Sequence, residues 1–384
     1  MADHLRVMIS CGEPSGDVYA AALASEIKRL EPNAEIIGFG GQALRATGAR
    51  LLGDFEGISV TGLAEAVRVL PQSWRIYRSL VRAADAVRPD VFVPIDFPDF
   101  NFVLARALKR RGIPVIYYVS PQLWAWRRGR MKTMKRLADR VLVIFPFEAA
   151  FYEDAGIPVT FVGHPLLSLT AQPKPRNEFL ISHKLDPGKP VVALLPGSRP
   201  NELRQILPNL VRAAGLIAAR VPEAQRLVAR APHLDGALFQ PLADWPSDAR
   251  RPVLLENAAD AILASADMAI VASGTVTVQA ALHGCPMVVV YRLAPLTYRL
   301  GKPFVHVDTY AMANLVAGRR VVPELIQDAF TPEAVASEAL QVLTDPARAA
   351  AIRAELATVR SRLGDEGASR RAAEEVLAVA RRPV

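Results

Sequence analysis

The stretch Val191-Val192-Ala193-Leu194-Leu195-Pro196-Gly197-Ser198-Arg199 decides how this chain is read. Five apolar residues without a polar interruption suit a strand covered on both faces of a parallel sheet. They run into Pro196, Gly197 and Ser198, which turn the chain, and a helical pattern starts at Asn201. Strand, tight turn and helix make half of a β-α-β unit, and the same half-unit recurs to either side. Leu5 to Ser10, Glu35 to Gly40, Val91 to Ile95, Pro114 to Val119, Val141 to Phe145 and Val159 to Val162 read as strands of a first unit. Val191 to Leu195, Gln225 to Val228, Pro252 to Leu255, Met268 to Ala272 and Pro286 to Tyr291 read as strands of a second. The Pro-rich, Lys-rich and polar stretch from Gln172 to Pro187 interrupts the alternation and reads as a linker. From Pro332 onward the pattern is purely helical. The expected class is therefore α/β, with two Rossmann-like domains facing a cleft, because such sheets bind ligands at strand carboxyl ends.

With 384 residues, 51% of them hydrophobic, the chain can bury two ordinary cores, which excludes a disordered or fibrous protein. Two cysteines, Cys11 and Cys285, are too few for a disulfide framework and fit a reducing compartment. No secretory signal is visible at the N-terminus, and no apolar run approaches the roughly 18 residues of a membrane span. The net charge of +8 points to an anionic partner without naming it. Between Lys109 and Arg140 stand ten Lys or Arg residues and one acid, Asp139, interleaved with Tyr117, Tyr118, Trp124 and Trp126. That segment reads either as a solvated helix face or as a basic, aromatic surface suited to a headgroup interface.

Four turns follow strands and carry chemistry. Gly12-Glu13-Pro14-Ser15-Gly16-Asp17 suits a ligand, although Ser15 or Asp17 can equally cap the next helix. Ile95-Asp96-Phe97-Pro98-Asp99-Phe100-Asn101 puts carboxylates at a strand end. Asp96 is the candidate general base toward a sugar hydroxyl, while Asp99 and Asn101 can cap the following helix. Gly197, Ser198 and Arg199 stand where backbone N–H groups, a helix N-terminus and a guanidinium receive a phosphate. Ser273-Gly274-Thr275 repeats that arrangement, with Gln279 and His283 on the helix beyond. Gly38-Phe39-Gly40-Gly41-Gln42-Ala43 matches a dinucleotide pattern after the wrong strand and is discounted. His164 reads as a turn histidine. No metal-ligand cluster, Asp-x-Asp pair, serine-hydrolase elbow or phosphate-binding loop of the Walker type is present in the sequence.

Six motifs in order resemble the lipid-A-disaccharide synthase family over essentially the whole chain. They are the turns at Gly12–Asp17 and Ile95–Asn101, Tyr117-Tyr118-Val119-Ser120-Pro121 with Trp124-Ala125-Trp126, Phe145-Pro146-Phe147-Glu148, Leu195–Arg199, and Asn314-Leu315-Val316-Ala317-Gly318-Arg319. The resemblance implies the glycosyltransferase B fold, with an acceptor domain at residues 1–170, a UDP-sugar domain at 171–345, and helices at 346–384 that return to the first domain. It implies transfer of 2,3-diacylglucosamine from UDP-2,3-diacylglucosamine to the 6-hydroxyl of 2,3-diacylglucosamine 1-phosphate, with no cofactor and no metal. Asp96 would be the base. Gly197, Ser198, Arg199, Ser273, Gly274, Thr275, Gln279 and Asn314 would bind the donor. Glu13, Ser15, Gly16, Asp17, Asp99 and Asn101 would bind the acceptor. Gln279 stands where similar enzymes carry Glu, and Ala313 where they carry Pro. The setting implied is the cytoplasmic surface of an inner membrane, without nucleic acid, and a homodimer is left open. The stretch from Gly57 to Leu80, with Val60, Leu63, Val67, Val69, Leu70, Trp74, Ile76 and Tyr77, would offer acyl chains an apolar path. Two other readings remain at this stage, a UDP-sugar epimerase on the same fold and a basic nucleic-acid binder.

Overall fold

The computed structural model describes residues 4–55, 63–125, 128–245, 251–294, 298–299 and 308–381, the side chains of 63–69, 128 and 244 excepted. Val60, Trp126 and Arg127 lie outside the described residues, as do the side chains of Leu63, Val67, Val69 and Arg128. Two compact units emerge. The first takes the described residues up to Ser168 and those from Leu363 onward, and the second takes those between.

In the first unit, β1 (Arg6–Cys11), α1 (Pro14–Leu30), β2 (Glu35–Phe39), α2 (Gln42–Ala46), β3 (Arg50–Leu51), α3 (Leu63–Val87), β4 (Val91–Ile95), α4 (Pro98–Lys109), β5 (Ile116–Tyr118), α5 (Met131–Leu137), β6 (Arg140–Val143), α6 (Pro146–Glu153), β7 (Val159–Phe161) and α7 (Leu166–Leu169) follow one another. All seven strands run parallel, in the order β3-β2-β1-β4-β5-β6-β7. The central strands carry no polar face because helices cover both sides, so every residue of β4 and β5 is buried. Of the two readings of the segment from Lys109 to Arg140, the basic, aromatic surface loses its described aromatic residues. Tyr117 and Tyr118 point to opposite faces of a central strand and are fully buried, and Trp124 is buried against Phe147. Several of the cations are matched too: Lys109 pairs with Asp139, Arg130 with Asp99, and Arg140 with Glu375.

The second unit has α8 (Arg176–Ser182), β8 (Val191–Leu195), α9 (Pro200–Arg220), β9 (Gln225–Arg230), β10 (Val253–Glu256), α10 (Ala259–Ser265), β11 (Met268–Ala272), α11 (Val276–Leu282), β12 (Met287–Tyr291) and β13 (Glu324–Ile326). Its six strands are parallel in the order β10-β9-β8-β11-β12-β13. α8 occupies what reads as a linker in sequence. Its Phe179 and Leu180 are buried, and Arg176 holds both carboxylate oxygens of Asp267, at 2.9 and 3.3 Å. Helices Pro332–Thr344 and Pro346–Arg362 stay with this unit, whereas the last helix, Ala368–Ala380, packs on α1 of the first. Arg371 ties that helix down by donating to the Val162 carbonyl at 2.8 Å, and closes the turn before the helix by donating to the carbonyls of Asp365 and Glu366 at 2.7 Å.

Four strand-following helices, α1, α4, α6 and α9, begin with proline in their first turn. Proline there gives up an N–H that has no helical partner anyway, and its fixed φ starts the helix abruptly. The result is a short, sharp turn at each strand's carboxyl end.

Candidate active-site faces

In each sheet the unit's first strand lies inside, and the chain leaves it first to one side and later to the other. β1 is flanked by β2 and β4, and β8 by β9 and β11. Loops leaving two such neighbours diverge and leave an opening, the usual ligand position in an open α/β sheet. The turns after β1 and β4 hold Glu13 to Gly16 and Asp96 to Asn101; those after β8 and β11 hold Gly197 to Arg199 and Ser273 to Thr275. All four turns singled out in the sequence therefore stand at the two switch points.

Asp96 is half-buried and held with unusual backbone geometry. Its φ is +42°, that of Phe97 is +49°, and that of Val119, at the end of the neighbouring β5, is +51°. Left-handed backbone costs a non-glycine residue on the order of 1–3 kcal/mol, and a β-branched residue such as Val119 tolerates it least. The surroundings compensate. The Asp96 N–H donates to the Val119 carbonyl at 3.1 Å, and the Tyr117 hydroxyl donates to the Asp96 carbonyl at 2.8 Å. Fully buried Asn101 donates to the same carbonyl at 2.8 Å and, at 3.3 Å, to those of Ile95 and Ser10, while the Ser10 hydroxyl donates to Asn101 Oδ1 at 2.7 Å. The Phe97 ring lies over Gly12, where a Cβ would come 2.3 Å from it. Glycine is needed there to let the ring in.

Two of the six candidate acceptor residues thus have a different job. Asn101 is wholly buried and positions Asp96 from behind. Asp17, 5% exposed, accepts the N–H groups of Gly41, Ala43 and Leu44 at 2.7 to 3.2 Å, so its carboxylate fastens the start of α2. That bond network also accounts for the glycines near Gly38, since a Cβ on Gly41 would lie 2.6 Å from an Asp17 oxygen. Asp99, exposed in the first turn of α4, pairs with Arg130. Glu13, Ser15 and Gly16 remain at the start of α1, with Glu13 and Ser15 half-buried and Gly16 buried against Cys11.

The same face holds two groups whose importance the sequence did not signal. Glu148, 1% exposed in the first turn of α6, accepts the indole N–H of Trp124 at 3.0 Å and the N–H of Phe145 at 3.2 Å. Burial is the main cause that raises its pKa to about 7. His164, after β7, accepts the N–H of Leu166 through Nδ1 at 3.2 Å and lies against the rings of Phe145 and Tyr19. Burial lowers its pKa to about 3, so the ring is neutral near pH 7. A glutamate five residues past the end of β6, closing the Phe145-Pro146-Phe147-Glu148 motif, was the available hint for Glu148.

In the second unit Arg199 caps α9, and Glu202, one turn in, reaches back. Its Oε2 accepts the N–H groups of Ser198 and Arg199 at 3.1 and 3.3 Å, and its Oε1 accepts from the Arg199 guanidinium at 2.9 Å. The amides expected to receive a phosphate are thus held by a carboxylate, a capping box whose signal was glutamate at the third helical position. His233 donates to the Ser198 carbonyl at 2.7 Å and steadies the turn from the other side. Next to it, Ser273 donates to the Tyr310 carbonyl at 2.9 Å, and Gly274 is left open, a Cβ there meeting nothing within 4 Å. Gln279 donates to Asp260 at 3.3 Å, and Asp260 also bonds His283 at 3.0 Å. Asn314 departs from expectation. It is 1% exposed, and its amide spends two donors on Val322 and Glu324 and accepts the N–H groups of Val321 and Val322, all within 3.0 Å. Its capacity is filled in shaping the chain before β13.

Comparison with known proteins fits this arrangement. A family model described as Lipid-A-disaccharide synthetase matches residues 7–379. The lipid-A-disaccharide synthase of Koribacter versatilis is 46% identical over 384 residues, covering 98% of this chain and 99% of its own. That of Geobacter sulfurreducens is 42% identical, covering 97% and 96%. Among solved structures, the UDP-GlcNAc 2-epimerase of Neisseria meningitidis bound to UDP-GlcNAc superposes with a TM-score of 0.63 at 13% identity, covering 97% of this chain and all of that one. The calicheamicin glycosyltransferase CalG4 does so with a TM-score of 0.60 at 17% identity, covering 99% and 98%. Those likenesses are to the glycosyltransferase B fold, whereas the matches along the sequence are specific, and the chain belongs to the lipid-A-disaccharide synthase family of glycosyltransferases.

Proposed function

We propose that the chain transfers 2,3-diacylglucosamine from UDP-2,3-diacylglucosamine to the 6-hydroxyl of 2,3-diacylglucosamine 1-phosphate, giving the β-1,6-linked disaccharide 1-phosphate and UDP. The observation that carries this reading is a constrained strand-end carboxylate, Asp96, in one unit of a chain that belongs to this family and bears Arg199 and the open Ser273-Gly274-Thr275 turn in its other unit. Asp96 takes the proton of the attacking hydroxyl as that oxygen forms its bond to the anomeric carbon. The bond from that carbon to the UDP oxygen breaks on the opposite face, so the configuration inverts. Negative charge grows on the diphosphate as it leaves, and Arg199, the Ser273-Gly274-Thr275 turn and the start of α11 are the groups suited to meet it.

α3 supports a working position at a membrane surface. Leu70 and Trp74 on it are 60% and 56% exposed, Trp74 stacks on Tyr77 at 5.0 Å, and Arg75, Arg78 and Arg82 follow on the same helix. Exposed apolar side chains flanked by cations fit an anionic lipid interface, where the acyl chains of both substrates reside. Trp74→Ser should shift the protein off anionic vesicles in a flotation assay; unchanged flotation removes α3 from this role.

The direct test supplies the purified chain with both lipid sugars and measures UDP release, omitting each in turn. Release that needs both substrates is the expected result. Conversion of the UDP-sugar without acceptor would instead favour an epimerase. Asp96→Ala should lower kcat by about 10²- to 10⁴-fold, with UDP binding by calorimetry within a few fold. Turnover near that of the unaltered chain would remove Asp96 as base.

A further inference from the structure

The strand-end face of the first unit holds a second acid carboxyl, which the transfer mechanism leaves unused. Asp96 follows β4, Glu148 follows β6, and the end of β5 lies between them. Both acids grip that middle segment. Asp96 does so through its N–H on the Val119 carbonyl at 3.1 Å, and Glu148 through the indole N–H of Trp124 at 3.0 Å. A second tie runs alongside. Ser120, next to the left-handed Val119, shares a hydrogen bond with the hydroxyl of Tyr152, which lies one helical turn beyond Glu148 on α6. The segment from Val119 to Trp124 is thus clamped at one end by the residue that should receive the proton and at the other by Glu148. A capping role for Glu148 explains its bond to the Phe145 N–H, yet it explains neither the indole donor nor a carboxyl enclosed to 1% exposure.

We propose that Glu148 is a positioning residue for Asp96, acting through the Val119–Trp124 turn, and that its protonation is coupled to the charge on Asp96. The inference rests on the reading of Asp96 as the base. Burial, with a smaller push from the Asp96 charge, favours the acid form of Glu148, whereas the Trp124 indole and the N–H groups of Phe145 and Ile144 favour the anion, and the balance falls at about 7. The other titratable groups around it are silent there. Burial raises Tyr152, on α6 itself, and Tyr19, on α1, and lowers His164, after β7, to about 3. Arg130, on the Tyr117 side, is paired with Asp99. Glu148 therefore changes protonation near neutral pH, and removing the Asp96 charge shifts that change toward lower pH.

Trp124 reports this directly, because its indole N–H sits on the titrating carboxyl. Fluorescence of the full chain is followed against pH, and the Trp124→Phe variant isolates the signal. The expected midpoint lies near pH 7, and it moves to lower pH in Asp96→Asn. No transition near neutrality, or an unmoved midpoint in Asp96→Asn, overturns the proposal. Glu148→Gln adds a kinetic readout: kcat falls at least tenfold with KM within about threefold, and the step in kcat/KM near pH 7 disappears. A variant that keeps that step sinks the coupling even if it is active. Should Glu148→Gln fail to fold, the fluorescence comparison still decides. That readout needs no turnover, so a fully active Asp96→Asn would end the base assignment while leaving the coupling to stand or fall on the midpoint.

Discussion

At the residue scale, the proposed base is only as good as the backbone that aims it. Asn101 spends its amide N–H groups on the carbonyls of Ser10, Ile95 and Asp96 and accepts the Ser10 hydroxyl, out of contact with solvent. Asn101→Ala leaves several buried groups unpartnered, at about 1–3 kcal/mol for a typical one. The expected outcome is a fall of about 2–4 kcal/mol in unfolding free energy, read from urea titrations, together with a drop in kcat much larger than the change in KM. His164 and Glu148 give this face opposite responses to pH. The folded-state pKa of His164 is lowered, so its contribution is present above about 6.5 and is lost as pH falls toward about 3. That of Glu148 is raised, so its contribution is complete below about 4.5 and is lost as pH rises through about 7. His164→Gln should therefore lose less stability than the unaltered chain between pH 6.5 and pH 4, as compared by denaturant midpoints. An equal loss in both would mean that another group governs the acid limb. Asp96 was legible in the sequence because a carboxylate after an apolar run is conspicuous. Its constraint was not, since Ser10 and Asn101 meet across 91 residues of chain.

Elements were legible where they lay in an apolar run. Eleven strands announced themselves in that way, but β3 and β13, at the sheet edges, open on the charged Arg50 and Glu324 and leave only one and two apolar residues to read. α8 was hidden by its flanking prolines and lysine, and becomes a helix because Phe179 and Leu180 find a core and Arg176 finds Asp267. The turn after β8 shows the same limit at close range. Its glycine, serine and arginine read as a phosphate cradle, whereas the deciding partner, Glu202, lies one turn into α9 and reaches back. Glu202→Ala should cost about 1 kcal/mol, the usual value of a lost helix cap. Gly197→Ala should cost more, because φ there is +116° and the new Cβ would stand 2.5 Å from a Glu202 oxygen. Thermal unfolding of the two variants checks the order, and a milder effect at Gly197 would mean that the turn relaxes freely.

At the scale of the whole molecule, two parallel sheets with separate cores were readable from one repeated pattern, strand then sharp turn then helix. The path of the C-terminus was not readable from that pattern, because a helical stretch rich in Ala and Arg carries no statement of which surface it will cover. The structure settles it through particular contacts: Arg140 with Glu375, and Arg371 with the Val162 carbonyl, bind the last helix to the first unit. Each unit has its own sheet and its own set of internal contacts, so a ligand held by one is expected to protect that one. In scanning calorimetry the unfolding enthalpy from the shape of the transition should fall short of the measured heat, the mark of more than one cooperative step. UDP at about 100 times its Kd should stabilise the step that contains α9 and α11 by about 2.7 kcal/mol. The step that contains Asp96 should stay where it was. Arg371→Ala should do the reverse, lowering the step of the first unit and sparing the one that UDP raises. A single step moved as a whole by either change would show that the two cores unfold as one.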